Sequence, residues 1–329
     1  MIVETHDLTK RYGPLVALNA LNLNIPEGAV YGFIGPNGAG KTTTMRILTG
    51  LLDATSGRAL VAGHDVAREG DTVRQLVGWM PDNFGVYDNM KAWEYLDFFA
   101  DSYGVPSGRR KQLIGELLDL VDLAHKRDEY VMGLSRGMKQ RLSLARTMAH
   151  DPRLLILDEP ASGLDPRARI ELRELLKELR NLGKTILISS HILTELAEMC
   201  THIGIIERGN LLVSGRVDEV LRQLQPHKTI EIRLLGESAR AAQVVSAIPG
   251  VRDVRRLDAP PPSIHADTEA ILDAPDGPDT LLLDYTGDDA GMSALLKTLA
   301  LADIPLLHFA EQTSDLEDIF MQVTKGTTQ

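Results

Sequence analysis

The stretch Gly35-Pro36-Asn37-Gly38-Ala39-Gly40-Lys41-Thr42, with Thr43 behind it, fits the pattern G-x-x-x-x-G-K-[ST]. Small residues let backbone N–H groups turn inward on phosphate oxygens, and a helix start adds partial positive charge at the same place. Lys41 is then placed to reach the β and γ phosphates of a nucleoside triphosphate, and the Thr42 hydroxyl to ligate Mg2+. A glycine-rich turn that binds nothing would need neither the apolar strand before it nor the helix after it. ATPases, GTPases and small-molecule kinases all use this pattern, so it identifies the ligand's phosphates and leaves the reaction open.

A second candidate is Leu154-Leu155-Ile156-Leu157-Asp158-Glu159-Pro160, an apolar run ending in two adjacent acids. Unpaired buried charge is costly, so acids at the tip of a buried strand imply a use. Asp158 is expected to hold Mg2+ through water. Glu159, projecting to the opposite side of the strand end, is expected to orient and polarise an attacking water. Downstream of a phosphate loop this reading outweighs a pair of solvated acids opening a loop.

These residues need strands and helices to hold them. Residues 30–34 read as a short buried strand and 42–52 as the helix that follows it. Apolar residues at three- and four-residue spacing predict helices over 87–103 and 108–123, and another begins just after Ser135 and runs to Asp151-Pro152. A strand follows at 154–157, then a helix at 166–182 ended by Gly183. Strands at 185–189 and 203–207 flank a helix at 193–200, and Arg208-Gly209-Asn210 turns into a strand at 211–213. This alternation implies an α/β fold with a mostly parallel sheet covered by helices.

The texture changes after about Gln225. Strands are expected at 228–234, 251–257, 281–285 and 306–311, with helices at 238–247 and 292–301. Two β-α-β units suggest a small C-terminal α+β domain of ferredoxin-like type, interrupted by a Pro/Asp-rich loop at 259–278. The expected division is 1–222, with a helical subdomain at about 84–150, and 223–329.

With 329 residues there is room for two cores. A net charge of −11 argues against nucleic acid as a partner and against docking on anionic lipid by charge alone. No apolar run approaches the roughly eighteen residues of a membrane span, and the amino terminus lacks the pattern of a signal peptide. The single cysteine, Cys200, makes neither an intramolecular disulfide nor a multi-thiolate zinc site, and a cytosolic setting is expected.

Further motifs narrow the reading. Leu134-Ser135-Arg136-Gly137-Met138-Lys139-Gln140-Arg141 resembles the Leu-Ser-Gly-Gly-Gln signature of the ABC ATPase family. Ala161-Ser162-Gly163-Leu164-Asp165-Pro166 is similar to that family's D-loop, and Ser189-Ser190-His191 to its switch histidine. Val77-Gly78-Trp79-Met80-Pro81-Asp82 stands at the Q-loop position and Tyr12 at the adenine-stacking position. The resemblance covers roughly residues 2–222 and implies a P-loop ABC ATPase, a mixed-sheet core with a helical subdomain, that hydrolyses ATP with Mg2+. It also implies that Ser135 and Gly137 touch ATP held by a partner copy in a head-to-tail dimer, that His191 contacts the γ-phosphate, and that Asp165 links the two sites. Physically, Ser135 is a good N-cap, and with Gly137 it offers a hydroxyl and N–H groups at a helix start. Three positions in two motifs depart from the family pattern. Arg136 and Met138 replace Gly and Gln in the signature, and Asp82 replaces the Q-loop Gln as a shorter, charged candidate around Mg2+ or water.

The signature variant, the stretch at 81–87 and the trailing domain together resemble bacterial type 2 exporter subunits of drugs, lipids or polysaccharides. That implies an integral membrane permease on a separate chain, docking at about 84–93, a homodimer or a second ABC subunit, and a peripheral place on the inner face of the cell membrane. The tail at 314–320 resembles the closing segment of the appended domain in that group. The alternative is a soluble ABC ATPase of an assembly or translation-associated complex. A single P-loop argues against two-cassette translation factors, and the absence of sustained heptads argues against SMC-like proteins.

Overall fold

In the computed structural model, which describes residues 1–82, 85, 87, 89–224, 228–257 and 279–312, the chain forms two compact units that divide between Val220 and Leu221. The 259–278 loop and the 314–320 tail lie outside the described residues.

The first unit begins with β1 (Val3–Tyr12), β2 (Leu15–Leu21) and β3 (Asn24–Ile25), followed by β4 (Val30–Ile34) and α1 (Lys41–Leu48). Next come β5 (Ser56–Val61), β6 (His64–Asp65), α2 (Gly70–Leu76) and β7 (Val77–Met80). The helices α3 (Ala92–Ser102), α4 (Ser107–Leu120) and α5 (Arg136–Thr147) are inserted before β8 (Leu154–Leu157). The unit continues through α6 (Pro166–Asn181), β9 (Thr185–Ser190), α7 (Leu193–Met199), β10 (His202–Glu207) and β11 (Asn210–Arg216), and α8 (Val217–Leu224) crosses the division.

Two sheets result. An antiparallel one, in order β2-β1-β5-β6 with β3 on β1, has no counterpart in the strands expected from the sequence. The other runs β11-β10-β4-β9-β8-β7, and every neighbouring pair is parallel except β10 with β11. Every residue of β4, β8 and β9 is buried, as the uninterrupted apolar runs require of strands covered on both faces. Each buried Leu or Ile contributes about 1.5–3 kcal/mol relative to exposure, so these strands are a rigid base for whatever leaves their ends.

Helix limits differ from the sequence reading at several ends, most at three. α1 stops at Leu48, and Gly50 follows at φ +70°, ahead of the expected end at 52. α3 starts at Ala92 rather than 87, where the Lys91 N–H donates to Glu94 Oε2 at 2.9 Å. α5 ends at Thr147, and Asp151 turns away at φ +57° before Pro152 can act as the stop.

In the second unit, β12 (Lys228–Leu234), α9 (Ser238–Ser246), β13 (Val251–Leu257), β14 (Asp279–Tyr285), α10 (Asp289–Leu301) and β15 (Leu306–Gln312) form one antiparallel sheet in order β13-β14-β12-β15. The succession β-α-β-β-α-β with this strand order is the ferredoxin-like, split arrangement. Alternate residues Ile230, Ile232, Leu281, Leu283 and Tyr285 pack with Ala241, Val245, Leu295 and Leu299 of its helices.

Candidate functional site

Four neighbouring parallel strands, β4, β9, β8 and β7, deliver their C-terminal ends to one edge of the sheet. The loop 35–40 leaves β4, Asp158 and Glu159 leave β8, His191 leaves β9, and Pro81-Asp82 leave β7. Backbone bonds seal the edge: the Gly35 N–H donates to Ser190 O at 3.3 Å and the Asp158 N–H to Met80 O at 2.9 Å. Open α/β sheets bind ligands at such an edge.

The phosphate loop is tightly built. A β-carbon at Gly35 would lie 2.3 Å from Ile206 O. Gly40 has φ +112°, and a β-carbon there would lie 2.8 Å from Ala17 O. Gly40 caps α1 without a side-chain hydrogen bond, which leaves first-turn N–H groups facing the loop for an anion. Lys41, only 6 % exposed, donates to Gly35 O at 2.6 Å and to Pro36 O at 3.3 Å.

The carboxylates meet this loop. Thr42 Oγ1 donates to Asp158 Oδ2 at 2.8 Å, and Ser189 Oγ donates to Asp158 Oδ1 at 2.6 Å. Ser189 Oγ in turn accepts the Glu159 N–H at 2.8 Å. Glu159 is a non-glycine residue at φ +49°, a conformation that its surroundings must impose. Its Oε1 lies 3.5 Å from Lys41 Nζ and its Oε2 lies 3.0 Å from His191 Nδ1. Glu159 thus bridges the lysine and the histidine. Burial lowers the pKa of Lys41, and the charges of Glu159 and Asp158 oppose that shift. A phosphate entering this pocket would replace those carboxylates as the lysine's partner.

The donor set fits magnesium. The Thr42 hydroxyl and the Asp158 carboxylate, 2.8 Å apart, are hard oxygen ligands of the type Mg2+ takes. Among the described residues no group of three or more His, Cys, Asp or Glu side chains could hold a metal unaided. Phosphate oxygens and water would complete the shell of an Mg2+ ion held by this pair.

Of the other expected site residues, Asp82 lies at this same sheet edge with much of its side chain open to solvent and part of it covered. Burial and the Asp158 and Glu159 charges raise its pKa, and Arg136 opposes the rise. Tyr12 ends β1, is 47 % exposed, and has the Lys10 ammonium over its ring, 5.1 Å from the centre. Ser135 caps α5, its Oγ accepting the Met138 N–H at 3.3 Å, and Gly137 packs near Leu164 and Ala168, where an added β-carbon would find them at 3.5–3.7 Å. Asp165 Oδ1 caps α6 by accepting the Ala168 N–H at 2.9 Å. Neither Ser135 nor Gly137 contacts the phosphate loop of its own chain through any hydrogen bond described.

Two contributors were not evident from sequence. Ser189, which joins the two acids, is a small polar residue at the end of an apolar strand, and that position was its only signal. Arg136 reaches across to donate from Nη2 to Ser162 O at 3.0 Å, a tertiary contact with no sequence signal. A separate cavity of about 530 Å³, lined by Leu52, Thr55, Arg58, Asp65 and Arg74 among others, shares no residue with the phosphate site.

Comparison with known proteins agrees with the geometry. Residues 18–162 match the family model described as "ABC transporter". The bacitracin transport ATP-binding protein BcrA of Bacillus licheniformis is 44% identical over 214 residues, which is 64% of this chain and 68% of that protein. The Nod factor export ATP-binding protein I of Burkholderia orbicola is 31% identical over 322 residues, 98% of this chain and 96% of that protein, so the similarity includes the C-terminal unit. Among solved structures, cbiO1 from Clostridium perfringens, part of the ABC transporter complex cbiONQ, superposes with a TM-score of 0.62 at 27% identity, covering 75% of this chain and 96% of that one.

Proposed function

Since this chain belongs to the ABC transporter family of ATP-binding proteins and is an ATPase of that family, we propose that two copies, or one copy and a second ABC subunit, enclose ATP head to tail and drive an exporter. The observation that carries this reading is the convergence of Lys41, Thr42, Asp158, Glu159 and His191 on one sheet edge while Ser135 and Gly137 stand elsewhere. A site with phosphate-binding groups on one face and a second phosphate-binding helix start on another is complete only when two copies face each other.

In this mechanism the loop 35–42 and Thr43 wrap the phosphates, and Tyr12 stacks on adenine. Lys41 exchanges the Gly35 and Pro36 carbonyls for the β and γ phosphates. Thr42 and Asp158 would hold Mg2+, with Asp82 beside them, and the ion would neutralise developing phosphate charge. Glu159, held by Lys41 and His191, orients the attacking water and takes its proton, and His191 steadies the γ-phosphate. Ser135 and Gly137 of the facing copy close over that phosphate, and Asp165 carries the state of one site to the other. Closure on ATP and reopening after hydrolysis form the mechanical cycle.

The export reading is supported by the relatives named for bacitracin transport and Nod factor export. It places the transmembrane path on a separate permease chain and this chain at the inner face of the membrane. No helix among the described residues is long and apolar enough to cross a membrane.

Glu159→Gln tests the mechanism. The variant is expected to bind ATP, to turn over about 100-fold or more slowly, and to accumulate as a closed dimer on size exclusion with ATP. Normal turnover would remove Glu159 from the role of base, and a monomer under saturating ATP would count against the head-to-tail arrangement. For the partner, mild-detergent purification from the native host is expected to recover a polytopic membrane protein in stoichiometric amount. Recovery with ribosomes or a soluble assembly complex would overturn the export reading and leave the ATPase intact.

A further inference from the structure

Arg136 occupies the first position of α5, a place where helix electrostatics favour anions, and the first turn contains no acidic residue. A cation there requires compensation. Arg136 finds it in the turn that follows Glu159: Nη2 donates to Ser162 O at 3.0 Å, and the guanidinium covers Gly163, where a β-carbon would come within 2.5 Å of it. That glycine has φ +67°. The same turn closes back on the acid, since the Ser162 N–H donates to Glu159 O at 3.0 Å. Glu159 is itself at φ +49°, and the contacts holding it there are Ser189 on its amide and this turn on its carbonyl.

We propose that Arg136 is a positioning residue for hydrolysis: by gripping the 159–163 turn it holds the Glu159 backbone in its left-handed conformation and keeps the carboxylate between Lys41 and His191. The distance between those partners leaves little slack, because one Glu159 oxygen lies 3.0 Å from His191 and the other 3.5 Å from Lys41. A backbone free to relax to negative φ would carry the carboxylate away from both. The Arg136 charge also acts toward Asp82 against the Asp158 and Glu159 charges, consistent with a guanidinium set beside the acidic edge. The proposal rests on the reading of Glu159 as the group that orients water.

The test is steady-state ATP hydrolysis by the full chain over a range of ATP concentrations, for the parent, Arg136→Gly, Arg136→Lys, Glu159→Gln and the double variant Arg136→Gly/Glu159→Gln. Arg136→Gly is expected to lower kcat about 10-fold with KM within about 2-fold, because ATP binding by the loop 35–42 is untouched. Arg136→Lys, which can still donate to Ser162 O, is expected to recover kcat to within about 3-fold of the parent. In the Glu159→Gln background the glycine substitution is expected to cost nothing further, since Arg136 acts through Glu159. Gly163→Ala, which displaces the guanidinium from the other side, is expected to reproduce the kcat loss and supplies a second route should Arg136→Gly fail to fold. Parent-like kcat in Arg136→Gly, a loss confined to KM, no recovery with lysine, or an additive loss in the double variant would each overturn the proposal. Parent-like turnover in Glu159→Gln alone would instead overturn the reading of Glu159 on which it rests.

Discussion

Lys41 is buried and held by two carbonyls and a carboxylate. Removing it takes away both the charge and the donor that the β and γ phosphates need. Lys41→Ala is expected to weaken ATP binding by about 100-fold or more, roughly 2.7 kcal/mol, in a fluorescent-nucleotide titration. Unchanged affinity would show that the loop's backbone N–H groups suffice. Lys41, Thr42, Asp158 and Glu159, whose chemistry is tied to fixed spacing, were legible from the residues, His191 through the family resemblance, and the fold brings all five to one sheet edge. Ser189 and Arg136 were not. A serine at a strand end looks the same whether or not two acids share its hydroxyl, and an arginine's partner 26 positions away is set by packing rather than by neighbours in sequence.

At the scale of elements, the helical insertion is tied to the sheet through His150, just beyond α5. Its Nε2 is 3.1 Å from Val77 O in β7, and its ring stacks on Tyr103 at 4.1 Å. With Nε2 donating to that carbonyl, Nδ1 is the unprotonated nitrogen, and it is buried without a hydrogen-bond partner. Burial accordingly lowers the pKa of His150 below the ordinary histidine value. A base depressed in this way takes up its proton more readily once the chain unfolds. Its contribution to stability is complete above the usual value of about 6.5 and is lost as pH falls through that value toward the lower folded one. Melting temperature is therefore expected to drop between pH 7.5 and 5.5, and His150→Phe to flatten that drop; an equal slope in both proteins would assign the acid sensitivity elsewhere. Elements with one kind of environment were readable: β4, β8 and β9 are wholly buried and apolar, and their limits match the sequence reading to within a residue. The antiparallel sheet was not, because β1 changes register between Leu8 and Lys10 and again between Lys10 and Arg11, which breaks the two-residue alternation a strand would otherwise display.

Across the whole molecule, the core of the first unit and that of the second share no residue. Leu283, fully buried in β14, belongs to the second alone. Leu283→Ala is expected to cost that unit about 2–5 kcal/mol and to appear in calorimetry as an earlier transition, with the ATP-stabilised transition unmoved. A shift of both would mean that the units melt as one. The second unit's strands and helices were legible from alternation as two β-α-β units, and the structure adds their order in the sheet. The sheet order of the first unit carries a consequence in time. β4, which launches the phosphate loop, lies between β9 and β10, and its surroundings are secured by the Gly28 N–H on Thr185 Oγ1, 157 positions onward, and the Val30 N–H on Thr201 Oγ1, 171 positions onward. At roughly 5–20 residues per second of synthesis, the ribosome needs on the order of 10–30 s to make what lies between. The phosphate loop is thus translated well before β9 and β10, the two strands that flank β4 in the sheet, exist to hold it.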